Sequence, residues 1–567
     1  MESSEKNSPG QVMNPPLVIL AGFMGTGKTA TGQALAGLLG RTFMDTDQVI
    51  EEREQMTVEE IFSRHGEAHF REREAALVQE LTRRSGLVVA TGGGMLLNEM
   101  NFKTLSRLGP VYLLHASIDA ILTRIHKDST RPLVKSGKGS KDARKKVESL
   151  LKAREAVYAR VPRQIDTTDI DPHETACRIA GSLDLSSHTL TLLYPAGTLP
   201  SAQIECGNKD AILPGSVPTY IEIGCGLLSS LGSRLKSLGH DSRAFVLIPE
   251  KVKQHHLGQV AESLNSASIP WEEIIVKDRD REKSLDQAGD LISRLAEKGA
   301  SRDSVILAVG GGVTGDLAGF VASIYMRGMP FVQVPTTLLA QVDAGMGGKT
   351  GVNHKHAKNL VGSFYPARLV LSDPCTLRTL PQEELANGMA EVVKTAIIGS
   401  PDLYDQLIDE LSKTASAKLK EIPFLEACVK KCAAVKTAIV TRDPFEKDER
   451  RLLNLGHTVG HAFEAMDDYT RYSHGQAISL GMVAVLHIAR ARGMATKEFV
   501  IDTVKILEQC GLPVTFPSMD KTAFLQSLNL DKKKMKGRIH FILPERPGAC
   551  VIKDDVTEDE IFAAVSA

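Results

Sequence analysis

Three groups of residues in this 567-residue chain have the types and spacing for chemistry. The first is Gly22-Phe23-Met24-Gly25-Thr26-Gly27-Lys28-Thr29, between an apolar run, Leu17 to Ala21, and a helical one, Ala30 to Leu39. In a strand–loop–helix setting, G-x-x-x-x-G-K-T cradles phosphates on the amides of Gly25, Thr26 and Gly27. Lys28 would reach the β and γ groups and Thr29 would hold Mg²⁺, which predicts an ATP site. Downstream, Asp45 and Asp47 follow the apolar pair Phe43-Met44. One carboxylate could help hold the metal while the other orients a substrate hydroxyl; a solvated turn fits that piece equally well.

The second group runs from Val305 to Asn359. Its apolar run, Val305 to Val309, reads as a buried parallel strand. Gly310, Gly311 and Gly312 follow, then Gly315 and Asp316, where backbone amides can approach a pyrophosphate at a helix N-terminus. After a second strand, Phe331 to Val334, come Thr336, Thr337, Asp343, Gly347, Gly348, Lys349, Lys358 and Asn359. Hydroxyls, charges and glycines in that density between apolar strands suit an anionic ligand better than a core.

The third group is His457 and His461, four apart on one face of a predicted helix, with Glu391 and Lys394 three apart on another, and His474 in a glycine-flanked loop. A catalytic zinc takes three N/O ligands and keeps one position open. Spacing alone selects His457, His461 and one carboxylate; a pair of satisfied surface histidines meets it equally.

These groups need elements to position them. The chain is too long for one core, so three or four structural domains are expected. With 42% hydrophobic and 24% charged residues it has ordinary globular composition, and a formal net charge of −1 gives no reason to expect nucleic acid or a membrane surface. No apolar run is long enough to cross a bilayer. Residues 1–16 are polar, carry Glu2 and Glu5 and lack an apolar stretch, so they read as a disordered tail and not a targeting peptide. Eight scattered cysteines suit a reducing compartment, and Cys428 and Cys432 read as core thiols on a helix more readily than as a zinc pair. A strand, Val88 to Ala90, leads to Gly92-Gly93-Gly94; Arg71 and Glu74 fit a salt-bridged exposed helix face; Lys135 to Lys146 is a very basic surface loop or lid. From Tyr220 strands and helices alternate in a doubly wound α/β pattern, and from about Pro381 the chain turns helical. Leu190 to Leu193 could be a strand of either side.

From Leu17 to Asp184 the chain resembles shikimate kinase. The resemblance rests on the phosphate loop, Asp45-Thr46-Asp47, Gly66-Glu67 with Phe70-Arg71, the triple glycine, Arg131-Pro132-Leu133, and Arg154 before Tyr158. It implies ATP with Mg²⁺ held by Thr29 and Asp45, a carboxylate clamp from Arg71 and Arg154, and ring contacts from Gly92, Gly93 and Gly94. It implies Asp47 as the base on the substrate hydroxyls and Arg131 reaching over the phosphates, so that Lys28, Asp47 and Arg131 are the catalytic groups.

From Tyr220 to Asp554 the chain resembles 3-dehydroquinate synthase. The matching runs are Gly310 to Asp316, Tyr325-Met326-Arg327-Gly328, Pro335 to Leu339, Gly347-Gly348-Lys349, Lys358-Asn359, Gly388 to Glu391 with Lys394, Asn454 to His457 with His461, His474-Gly475, and Asp531-Lys532-Lys533. This resemblance implies a different metal set, Glu391, His457 and His474 on Zn²⁺ or Co²⁺, with His461 facing substrate. It implies NAD⁺ near Gly310, Gly311, Gly312, Asp316, Lys283, Thr336, Thr337, Lys358 and Thr379. A phosphate pocket would come from Lys349, Asn359 and Lys532, with Arg327 reaching in from the second subunit of a homodimer. Lys394, Lys436, Arg450, Asn454 and His461 would meet ring hydroxyls and carboxylate, and Asp343 would sit by the nicotinamide; Lys349, Lys394, His461 and Asp343 are the implied catalytic groups. The family cyclises a seven-carbon keto-sugar phosphate without net redox change. Two places depart from the family: Pro249-Glu250-Lys251-Val252 where an acidic residue and an asparagine are usual, and Arg279-Asp280 where Gly-Glu is usual.

The expected architecture is therefore α/β. A P-loop kinase unit with a parallel sheet in three α/β/α layers spans 17–185, and a linker spans 186–215. A doubly wound NAD-binding domain follows over 216–380, then a mainly helical zinc and substrate domain over 381–567. Cytoplasmic location and small-molecule partners are expected.

Overall fold

The structure, a computed structural model, describes residues 17–39, 41–127, 140–183, 188–194, 217–355, 357–466, 471–534 and 540–566. The expected tail, Arg131 and residues 135–139 of the basic lid lie outside the described residues, as does the side chain of Lys532; the rest of that segment, expected as a loop, opens helix Ser140–Tyr158. The chain divides into two compact units, Met1–Leu183 and Asp184–Ala567.

In the first unit five parallel strands lie in the order β2-β3-β1-β4-β5. They are β1 (Val18–Gly22), β2 (Thr42–Asp45), β3 (Leu87–Ala90), β4 (Val111–His115) and β5 (Arg163–Asp166). The central strand β1 is an unbroken apolar run because helices cover both its faces. Leu17, Ile19, Ala21, Val89 and Leu113 pack with Val78, Leu81 and Leu105, and each such buried aliphatic side chain contributes roughly 1.5–3 kcal/mol relative to exposure. The phosphate loop joins β1 to helix Lys28–Leu39. Its turn places Gly25 at φ +79° and Gly27 at φ +90°, which side chains with a β-carbon rarely adopt.

The second unit is built on a seven-stranded sheet, order β6-β7-β14-β11-β10-β8-β9. In chain order these are β6 (His188–Tyr194), β7 (Val217–Ile223), β8 (Ala244–Pro249), β9 (Trp271–Val276), β10 (Val305–Gly310), β11 (Phe331–Pro335) and β14 (Leu369–Ser372). Between the last two comes an antiparallel hairpin, β12 (Lys349–His354) and β13 (Ala357–Phe364). All strands of the sheet run parallel except β6, which pairs antiparallel with β7 from His188↔Ile223 to Tyr194↔Val217. Part of the segment expected as a linker is thus an edge strand of the second unit. It covers the free hydrogen-bonding edge of β7 and buries Leu192 completely. The chain runs outward through β8 and β9, returns to β10, then proceeds the other way through β11 and β14. Strand order therefore reverses beside β10, the crevice where open α/β sheets take ligands.

Beyond Pro381 the chain is mainly helical: Gln382–Gly399, Pro401–Lys418, Ile422–Arg442, His457–Met466, His474–Ala491, Lys497–Gln509 and Lys521–Lys534. A hairpin that the sequence did not announce, β15 (Phe541–Arg546) with β16 (Ala549–Lys553), closes over helix His474–Ala491. That helix is buried over most of its length and packs closely on helix His457–Met466. A β-carbon at Gly481 would collide with the Gly456 carbonyl. Cys428 and Cys432 are fully buried on helix Ile422–Arg442, where burial pushes both thiols up. No helix among the described residues is long and apolar enough to cross a membrane.

Candidate active sites

In the first unit the site lies at the carboxyl ends of β1, β2 and β3. Lys28 Nζ donates to the Phe23 carbonyl across the phosphate loop at 3.0 Å. Thr29 Oγ1 donates to Asp45 Oδ2 at 2.8 Å, and Asp45 Oδ1 caps the next helix by accepting from the Asp47 amide at 3.1 Å. A hydroxyl paired with a fixed carboxylate beside a phosphate loop is a donor set that suits Mg²⁺. Asp47 Oδ1 is buried against Gly92 and has no hydrogen-bond partner among the described residues. Burial, with Asp45 adding to it against the pull of Lys28, raises the Asp47 carboxyl to about 6.

Two guanidinium groups flank the triple glycine. Arg154 Nη1 and the Tyr158 hydroxyl donate to the Gly93 carbonyl at 2.7 and 3.0 Å. Arg71 lies so close to Gly94 that a β-carbon there would come within 2.5 Å of Nη1. The Arg71–Glu74 pair, expected on an exposed face, is different in kind: Glu74 is 1% exposed, its Oε2 accepts from Arg71 at 2.7 Å, and its Oε1 has no partner among the described residues. Gly66, at φ +82°, kinks the long helix Val58–Leu81 ahead of these residues. The structure thus gathers Lys28, Thr29, Asp45, Asp47, Arg71, Gly92 to Gly94 and Arg154 around one cleft.

In the second unit Gly311 is the cap of helix Gly312–Ile324 and provides no capping side chain, so the first amides of that helix are open to an anion. The Thr336 amide donates to the Gly310 carbonyl at 2.9 Å, and Thr337 lies against Gly311. Buried Lys283 donates to Asp316 at 2.8 Å and to Asn359 Oδ1 at 2.5 Å. Asn359, expected with the phosphate set, thus touches a residue expected at the cofactor. Thr379 Oγ1 lies 3.1 Å from His256 Nε2. Lys349 is half-exposed and pairs with Glu446, which also accepts from Asn454 Nδ2 at 2.9 Å. Arg327 is exposed, just beyond helix Gly312–Ile324, at φ +66°.

Geometry bears on the choice of metal ligands. The ligand atoms of Glu391, His457 and His474 lie within 4.8 Å of one another. Glu391 Oε1 is 3.8 Å from His457 Nε2 and 3.6 Å from His474 Nε2. Glu391 is fully buried, and neither oxygen has a regular hydrogen bond among the described residues, although Lys394 contacts Oε2. A buried carboxylate and two imidazole nitrogens converging in this way suit zinc with one position open. His461 lies outside this group, its ring 5.5 Å from that of His457. The pair chosen on spacing alone is thereby corrected. The third donor comes from His474, which opens helix His474–Ala491 and does not sit in a loop. Ser473 and Gln476 form a capping box there, and the missing side chain of Gly475 lets the helix approach Asn387, one turn before Glu391.

Burial, reinforced by Lys394, holds His457 well below its ordinary range and so neutral, as a ligand must be. Burial opposes protonation of His474 too, but Glu391 and Glu464 outweigh it and raise the ring to about 9; a bound cation would replace that proton. Asp343, on a π-turn (Ala340–Ala344), bonds Lys436 Nζ at 2.5 Å. Burial would raise its carboxyl, but Lys436 and Lys394 outweigh burial and lower it. Arg450 is 2% exposed and donates to the Gly347 and Pro444 carbonyls.

Comparison with known proteins follows the same division. The shikimate kinase family model matches residues 24–183, and the N-terminal and C-terminal models of 3-dehydroquinate synthase match 273–387 and 388–534. A 3-dehydroquinate synthase of Alkaliphilus metalliredigens is 39% identical over 58% of this chain and 90% of its own length. The chain belongs to the shikimate kinase and 3-dehydroquinate synthase families. It joins a kinase and a cyclase of the shikimate pathway in one polypeptide. A 2-epi-valiolone synthase of Actinosynnema mirum is 42% identical over 57% of this chain and 85% of its own length. Among solved structures, a 2-epi-5-epi-valiolone synthase of Streptomyces hygroscopicus with NAD⁺ and Zn²⁺ bound is 26% identical, with a TM-score of 0.57 over 63% of this chain and 98% of its own.

Three residues that sequence reasoning passed over, and Glu74, which it placed on an exposed face, belong to these sites of the kinase–synthase. Glu74 braces Arg71, and Arg124 ties the Gly25 carbonyl to those of Thr167 and Thr168. Glu446 joins Lys349 to Asn454, and Glu464 stands behind His474. Only Glu464 carried a signal, its i+7 spacing from His457.

Proposed function

We propose that the first unit transfers the γ-phosphoryl group of ATP to shikimate and that the second converts 3-deoxy-D-arabino-heptulosonate 7-phosphate to 3-dehydroquinate and phosphate. Catalysis by the first unit is positioning and charge neutralisation. Lys28 and the loop amides hold the phosphates, and Thr29 and Asp45 hold Mg²⁺. Arg71 and Arg154 clamp the substrate carboxylate along Gly92 to Gly94, and Asp47 accepts the proton of the attacking hydroxyl. Arg131 is assigned to the phosphates by family resemblance.

For the second unit, the observation that carries the reading is the three-donor centre of Glu391, His457 and His474 beside Lys394 and Asp343. NAD⁺ supplies a transient hydride acceptor and Zn²⁺ or Co²⁺ a Lewis acid when bound. Gly310 to Gly312 with Thr336 and Thr337 take the pyrophosphate, and Lys283, Asp316, Lys358, Asn359 and Thr379 line the rest of the dinucleotide site. Lys394 is kept cationic because Glu391 and Asp343 outweigh its burial, so it donates to ring hydroxyls. His461 faces the same substrate. Arg450, Lys436 and Asn454 recognise carboxylate and hydroxyls, and Lys349 with Lys532 takes the phosphate. Arg327, exposed on its own subunit, completes that pocket across a homodimer in the cytoplasm.

A second reading is favoured by the 42% identity to a 2-epi-valiolone synthase: the second unit would be another sugar-phosphate cyclase. Mass spectrometry of products decides. Shikimate 3-phosphate from shikimate, ATP and Mg²⁺, together with 3-dehydroquinate from the carboxylated heptulosonate, is the expected result. Turnover of another sugar phosphate and not of the heptulosonate overturns the substrate assignment.

A further inference from the structure

Helix His457–Met466 carries three polar residues at i, i+4 and i+7: His457, His461 and Glu464. Such spacing puts them along one face. The first is a donor of the metal centre and the second is assigned to substrate. The third, Glu464, is 4% exposed, and a carboxylate that deep is retained only where something pairs with it. Its Oε1 lies 3.5 Å from His474 Nδ1 and 3.6 Å from Lys358 Nζ. On the other side of the imidazole, His474 Nε2 faces Glu391 Oε1 at 3.6 Å. The two nitrogens of His474 are therefore addressed by two different carboxylates, one inside the three-donor group and one outside it.

Lys358, on β13, reaches the same Glu464 oxygen and also pairs with Asp280 at 3.1 Å. Glu464 is thus fixed by a contact independent of the metal centre. An imidazole has two tautomers and can turn either nitrogen to a metal; the partner of the second nitrogen chooses.

We propose that Glu464 is a positioning residue of the metal centre, fixing His474 with its proton on Nδ1 and Nε2 turned toward Glu391 and His457. The inference rests on the reading that Glu391, His457 and His474 hold zinc. A carboxylate behind a ligating histidine also raises the basicity of the ligand, and removing one weakens metal binding by about 10–100-fold. A merely structural Glu464, there to neutralise Lys358, would leave zinc affinity unchanged.

The test is zinc binding by the full-length protein, stripped with a chelator and titrated against a chromophoric competitor. Glu464→Gln keeps the shape and removes the charge. It should bind zinc about 10–100-fold more weakly than wild type, while the two metal-free proteins melt together. Equal zinc affinity in the two overturns the inference alone. A wild type that takes up no stoichiometric zinc overturns the metal site and the inference together. Should Glu464→Gln fail to fold, ¹⁵N imidazole spectra of zinc-loaded wild type decide. His474 should be metal-bound through Nε2 with a proton on Nδ1, and binding through Nδ1 overturns the assignment.

Discussion

Asp47 in the first unit and Asp343 in the second are both partly buried aspartates at the heart of a site, and they are driven in opposite directions. Asp47 shares its surroundings with Asp45, Glu74 and Glu51, and burial acts with them to raise its carboxyl to about 6. Asp343 has Lys436 and Lys394 around it, and their charge overrides burial to lower it. Acidic neighbours thus favour the protonated form of Asp47. Lysines around Asp343 favour its anion, which bonds Lys436. One residue type is therefore biased in two opposite directions, chosen by its neighbours.

The strongest test of treating the two sites separately is Lys28→Ala. Phosphoryl transfer should fall by on the order of 10³-fold or more, because a donor aimed at developing charge is lost. Cyclisation by the same protein should stay within about twofold, because the two sets of site residues have no member in common. A parallel loss of cyclisation in the folded variant would break the comparison at its root.

Next in size is the metal. His474→Ala removes one of three donors and should leave the purified protein without stoichiometric zinc, whereas His461→Ala should retain it. Metal analysis of the two proteins settles the matter. Zinc lost only from the His461 variant would restore the pairing that helical spacing suggested.

Asp47→Asn sharpens the contrast in charge. Phosphoryl transfer should drop by about 10²-fold if Asp47 is the base. In wild type the rate should fall as pH falls through about 6, because the raised carboxyl is then protonated; Asp47→Asn should lack that limb. Stability has the opposite sign. A carboxyl raised in the fold favours the folded state at low pH and loses that contribution as pH rises through about 6. Asp47→Asn should therefore melt higher than wild type at pH 8. Asp343, lowered in the fold, stabilises above its unfolded value, so Asp343→Asn should melt lower at the same pH. Matching shifts in the two variants would void the comparison.

How much of this was legible beforehand follows from how each site is built. The phosphate loop is contiguous and framed by its own strand and helix, so eight residues state both fold and chemistry. The apolar runs of β1 and β10 announce strands buried on both faces. The metal centre has no local pattern. His457 and His461 share a helix, yet packing brings His474 in from a second helix and Glu391 from a third. Only family resemblance pointed to that set. Paired acids were the systematic miss. Glu74 reads as half of an exposed ion pair, and Glu446 and Glu464 draw no notice, because a sequence shows an acidic residue but not the arginine, lysine or histidine that folds against it. The strand β6 was ambiguous for the same reason: its partner, the edge of β7, exists only in the assembled sheet.

The smallest expected effect probes the adenosine end of the dinucleotide site, where the chain departs from its family. Strand β8 ends at Pro249, which caps helix Glu250–Ser266 without any side-chain hydrogen bond. Proline has no side-chain acceptor, so a ribose contact at this strand end would be lost or would fall to Glu250, exposed in the first turn of that helix. A hydrogen bond to a charged group contributes roughly 1.5–3 kcal/mol, and solvent exposure draws this toward the lower limit, about tenfold in affinity. Gly310 to Gly312 should keep the pyrophosphate regardless, because backbone approach there depends on absent side chains and not on Glu250. Calorimetric titration of NAD⁺ into wild type and Glu250→Ala should thus give a dissociation constant about tenfold higher for the variant, with phosphoryl transfer by the first unit unchanged. Identical constants would make Glu250 a surface charge and assign the ribose to another partner. A loss far beyond a hundredfold would mean that the end of β8, and not the glycine turn, dominates dinucleotide binding.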